Sequence, residues 1–189
     1  MEDTLDESAG DVRGERLNFQ DGGVRDVHAE SVTLTRGGAR NVSGGTVTVR
    51  QGGVQRVEAQ TFTLKQGGVV QVAAEQADLN ASAALLVRAG HVRIGPSCQV
   101  GGVLADQAVV EDSFAPAVVA RQEARFDQSA VGVIVSNRVT LSGSMVGLAV
   151  AEVVEGDVRI QVKPPVAAVF GAAFGAALGL VLLIGRRRR

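Results

Sequence analysis

The chain has 189 residues, 19 Lys and Arg against 20 Asp and Glu, a net charge of −1, no Trp or Tyr and one cysteine. A near-neutral total without a basic stripe argues against a nucleic-acid partner, and the lone Cys98 has no internal disulfide partner, which fits a reducing compartment. One domain of about 145 residues and a terminal anchor account for this length.

Residues 1–16 are acidic, with Glu2, Asp3, Asp6, Glu7, Asp11 and Glu15 against Arg13 and Arg16. They have almost no apolar periodicity, so a disordered tail is expected. The basic start and apolar core of a secretory signal are both missing.

From Leu17 to Gln76 one 15-residue sentence is written four times: LNFQDGGVRDVHAES, VTLTRGGARNVSGGT, VTVRQGGVQRVEAQT, FTLKQGGVVQVAAEQ. A short fixed period without drift marks a solenoid whose coils stack on their neighbours. Counting from Leu17, small or apolar residues fall at positions 1, 3, 6, 8, 11 and 13. In the third copy these are Val47, Val49, Gly52, Val54, Val57 and Ala59. Each five-residue unit alternates in and out, the period of a strand rather than a helix. Three units per coil predict three short strands around a closed interior. The recurring Gly pairs, such as Gly52 and Gly53, read as corners needing positive φ; no Lys-Ser/Thr or helix start follows them, so phosphate cradling is the weaker reading.

After Gln76 the Gly pairs stop, but the inward columns continue through Ala77, Leu79, Ser82, Ala84, Val87 and Ala89. One extra residue near Pro96 and a second one-residue slip carry them through Cys98, Ser113 and Ser129 to the coil of Val139, Leu141, Ser144, Val146, Ala149 and Ala151. A last strand is expected at 158–162, before Lys163-Pro164-Pro165. The fold class is therefore all-β: a three-sided β-solenoid, or β-helix, of about ten short coils over residues 17–162. At ~4.8 Å per strand it makes a rod of roughly 45–50 Å.

Down the outward positions of the third side the character changes. Position 10 runs from Asp26 and Asn41 to Val133 and Leu148, and position 12 from His28 and Ser43 to Leu104, Val119, Val135 and Val150. Continuous apolar surface marks a contact. Leu104, Val119, Val133, Val135, Leu148 and Val150 are expected to bury against a second copy, a covering segment or the membrane surface.

Residues 163–189 form the expected anchor. VAAVFGAAFGAALGLVLLIG, residues 166–185, is uncharged and as a helix spans ~30 Å, the hydrocarbon thickness of a bilayer. A C-terminal transmembrane α-helix follows, with Gly171, Gly175 and Gly179 on one face at the spacing that lets helices pack closely. Arg186 to Arg189 would by the positive-inside tendency stay in the cytoplasm. The unsignalled solenoid must begin there too. Pushing a four-residue tail across is easier than moving a folded rod, so the expected arrangement is a single-pass membrane protein with its solenoid on the cytoplasmic side.

Catalytic constellations are missing from the sequence. His28 and His91 are several coils apart, no Ser sits in a nucleophile elbow, and Cys98 falls on an inward column. The expectation is a protein that is not an enzyme, with no cofactor, no metal and no small-molecule substrate.

The segments VRIGPSCQVGGVLADQAVV (92–110) and VEGDVRI (154–160) resemble the bactofilins, polymer-forming bacterial cytoskeletal β-helices with similarly spaced strings. The resemblance implies a right-handed three-sided solenoid that polymerises end to end at the cytoplasmic membrane. The 15-residue coils with Gly pairs and the C-terminal spanning segment depart from that family. Hexapeptide acyltransferases, with six-residue units, and four-sided pentapeptide-repeat proteins fit the period less well. The functional expectation is a membrane-anchored, self-assembling scaffold, a homo-oligomer; the alternative is a rigid module presenting its outer face to a protein or glycan.

Overall fold

The computed structural model describes residues 10–156. The expected strand at 158–162, the spanning helix at 166–185 and its glycines Gly171, Gly175 and Gly179 lie outside the described residues.

Ten parallel strands form one ladder in sequence order: β1 Asp11–Gln20, β2 Gly23–Thr35, β3 Gly38–Arg50, β4 Gly53–Lys65, β5 Gly68–Asn80, β6 Ala83–Ile94, β7 Gln99–Glu111, β8 Phe114–Asp127, β9 Ala130–Ser142 and β10 Met145–Gly156. Each residue pairs with its equivalent one coil on: Val27 with Val42, Val42 with Val57, Val57 with Val72. The chain is a parallel β-solenoid, and nine spacings of about 4.8 Å make the ladder about 43 Å long.

The sequence alternation becomes burial. Val47, Val49, Val57, Phe62, Leu64 and Val72 are fully buried, with Val54 and Val69 close behind. Inward pairs are separated by two consecutive outward residues at positions 4–5, 9–10 and 14–15, as in Arg50-Gln51, Gln55-Arg56 and Gln60-Thr61. That pattern divides each coil into three straight segments. Burying each Val or Leu side chain contributes about 1.5–3 kcal/mol, and β-branched residues suit the pleated surface.

Two irregularities appear at corners, the first where the sequence places it and the second one coil later than the slip expected ahead of Ala108. Gly95, Pro96 and Ser97 hold the first extra residue, between β6 and β7. The second is a bulge at Arg121 to Glu123, where the pairing of β7 with β8 shifts.

Three expectations need correction. The ladder starts at Asp11, inside the stretch assigned to a tail, because Val12 continues the column of Val27 and Gly14 that of Ala29. Val12 is buried in the same strand as Leu17 and Phe19, and backbone pairing with β2 extends that strand back to Asp11. At the other end Ala149 is exposed and Ala151 only half-buried, although both continue inward columns.

The third correction concerns the Gly pairs. Positive φ falls on the residue before each pair: Asp21 at 53°, Arg36 at 52°, Gln51 at 54° and Gln66 at 55°, continued by Ala81, Ser97, Asp112 and Gln128. This left-handed corner interrupts the strands, whereas the other two corners are crossed within them. From the second pair on, the first glycine is needed for close approach instead, whereas a Cβ on Gly22 would meet nothing within 4 Å. A Cβ on Gly52 would stand 2.2 Å from the Gly37 carbonyl oxygen, and one on Gly67 2.2 Å from that of Gly52. On the second glycine, Gly53, it would meet nothing closer than 3.8 Å.

From Ser82 on, the first-glycine position carries an inward side chain: Ser82, Cys98, Ser113, Ser129 and Ser144, all buried. The hydroxyls form a ladder. Ser113 Oγ accepts from the Cys98 N–H at 3.0 Å and donates to the Gly95 carbonyl at 2.7 Å. Ser129 Oγ accepts from the Ser113 N–H and donates to the Asp127 carbonyl, and Ser144 Oγ accepts from the Ser129 N–H at 3.1 Å. Buried hydroxyls are tolerated because each is satisfied. Burial pushes the Cys98 thiol above its ordinary pKa.

Candidate interaction surface

The two outward columns singled out from sequence are real columns. Leu104 pairs with Val119, Val119 with Val135 and Val135 with Val150; Gly102 pairs with Ala117, Ala117 with Val133 and Val133 with Leu148. Val119 and Val135 are each 39% exposed, Leu148 48% and Val150 54%, while Leu104 and Val133 are half-buried. All six residues point outward, and the structure brings them onto one side of the last four strands.

A second flank joins them. On the other side of the 9–10 corner, position 7 carries Gln99, Phe114, Ala130 and Met145 in register, with Phe114 and Met145 about half exposed. Between the flanks the corner itself is Gly101-Gly102, Pro116-Ala117, Gly132-Val133 and Gly147-Leu148. A Cβ on Gly132 would lie 2.5 Å from the Pro116 carbonyl oxygen and one on Gly147 2.6 Å from that of Gly132, so close stacking keeps the crest bare. The outcome is an apolar ridge over β7 to β10 on which no residue is charged. The position-7 column was readable in the sequence by the same counting, since Phe114 and Met145 sit one coil apart from uncharged neighbours.

The remaining surface is mostly of opposite character, although Val153 and Val154 of β10 are also exposed there. At the same levels the 4–5 corner carries Glu111, Asp112 and Asp127, the 14–15 corner Asp106, Arg121, Glu123 and Arg138, and the face between them Arg125 and Thr140. Arg121 pairs with Asp106 at 3.5 Å and Arg125 with Glu123 at 3.1 Å. In the N-terminal half the ridge corner is itself polar, with Arg25-Asp26, Arg40-Asn41 and Gln55-Arg56. Polar ladders run along the rod in this half: on the 4–5 corner Arg36 donates two 2.7 Å bonds to Asp21, and on the ridge corner Asn41 donates to Asp26. Those bonds hold both carboxyls below their ordinary pKa.

Among the described residues no group of three or more His, Cys, Asp and Glu side chains could hold a metal ion. His28, His91 and Cys98 occupy three different columns. Comparisons of the chain with protein-family models, with curated proteins and with solved structures found no match. The fold and surface define a parallel β-solenoid with one uncharged ridge.

Proposed function

We infer that the protein is a non-enzymatic scaffold: a rigid β-solenoid, tethered to a membrane by residues 166–185 with its coils on the cytoplasmic side, that self-assembles into a homo-oligomer. The observation that carries this reading is the parallel ladder from Asp11 to Gly156, in which, among the described residues, the terminal strand β1 pairs with β2 alone. An open strand edge is a template for another chain. The bactofilin-like segments at 92–110 and 154–160 point the same way. The ridge favours a second reading, a rigid module presenting its outer face to a partner.

Light scattering and electron microscopy of the chain lacking residues 164–189 separate the two. The scaffold reading expects species larger than one chain whose share grows with concentration. A strictly monomeric rod at every concentration contradicts it and leaves the presenting module.

A further inference from the structure

What covers the ridge has to reach both of its flanks. A second copy lying flat on one flank would bury four strand spacings of ~4.8 Å by one five-residue segment, about 300 Å² on each partner. A specific pair takes roughly 800 Å² per partner. Protein interfaces also carry hydrogen bonds and a polar rim, and on this ridge Gln99 is the only side chain with both a donor and an acceptor. A hydrocarbon surface asks for none and moulds itself to both flanks.

We propose that the ridge over β7 to β10 sits edge-on in the interface of a lipid bilayer. Phe114, Val119, Val135, Met145 and Leu148 meet the acyl chains there, and the charged face of Arg125 and Thr140 stays in water. This rests on reading residues 166–185 as the tether. Val166 follows Gly156 by ten residues, a stretch that reaches at most about 35 Å. The polarity of the corner changes in that direction, from Arg25-Asp26 through Leu85-Leu86 to Gly147-Leu148. A tethered surface acts at high effective concentration, so a small apolar area is enough. With no cation on the ridge, insertion follows apolar burial and not attraction to anionic headgroups.

The test uses the full chain in vesicles of zwitterionic phosphatidylcholine. Cysteine is introduced into the Cys98→Ser background by Val135→Cys, Leu148→Cys or Arg125→Cys and labelled with a small fluorophore. Acyl-chain-brominated lipid is expected to quench the labels at 135 and 148 at least twofold while aqueous iodide barely touches them, with the reverse at 125 and no change in 0.5 M salt. Labels at 135 and 148 as open to iodide as the one at 125 would overturn the proposal. So would labels shielded from both quenchers, which would mean a second copy or residues 166–185 cover the ridge. A chain that fails to float with the vesicles removes tether and ridge together; one that floats with wet labels removes the ridge alone.

Discussion

At the residue scale Gly52 and Gly53 do different work, as do the two glycines of the pairs at 37–38 and 67–68, although all look alike in the sequence. Gly52→Ala should cost more than about 2 kcal/mol, because its Cβ would stand 2.2 Å from a backbone oxygen that pairing holds in place. Gly53→Ala should stay within about 1 kcal/mol, and chemical denaturation of the two variants checks the contrast. Cys98 stands in a column of serines with its thiol buried, so native protein should react with a thiol reagent far more slowly than unfolded protein. Cys98→Ser should fold as the parent does. Asp21, held below its ordinary pKa by Arg36, contributes stability that is present above 3.8 and fades as pH falls through its lowered value. Asp21→Asn should therefore lower the melting temperature slightly at pH 7 and not at pH 2. Side-chain columns were legible because burial follows the alternation of single residues; the corner backbone was not, since Asp, Arg and Gln at positive φ leave no compositional mark.

At the scale of the coil, inward bulk and hydroxyl pairing share the work of holding neighbours together. Phe62 is fully buried, and Phe62→Ala should cost about 3–5 kcal/mol. Ser113→Ala removes the acceptor for the Cys98 N–H and should cost about 1–3 kcal/mol, by urea denaturation. An equal effect of Ser113→Ala and of Ser142→Ala, on the exposed corner, would deny the ladder its role. The serines were read in the sequence only as small residues. Their spacing gave the column, while the hydrogen bonds depend on the distance between coils, which no single coil states. The tail boundary was misplaced for a similar reason: Val12 alone is too little periodicity to announce a strand, but pairing with β2 supplies the rest.

At the scale of the whole molecule the solenoid is a one-dimensional stack, and its stability should be nearly a sum over coils and their contacts. The 15-residue period, the outward columns and the apolar drift along the rod were all readable from sequence, because stacking turns sequence period directly into spatial columns. The second flank of the ridge went unread because only one side was followed down the rod. What the stack requires is that fifteen residues, as three five-residue segments, close one turn. Two deletions in the full chain test this most directly. Removing residues 47–61 takes out one whole turn, and removing residues 47–56 takes out two segments while keeping the in-and-out phase. The first variant should keep its β-sheet circular dichroism and a cooperative transition at somewhat lower denaturant, and the second should lose both. Two variants that fold equally well would contradict the three-segment turn.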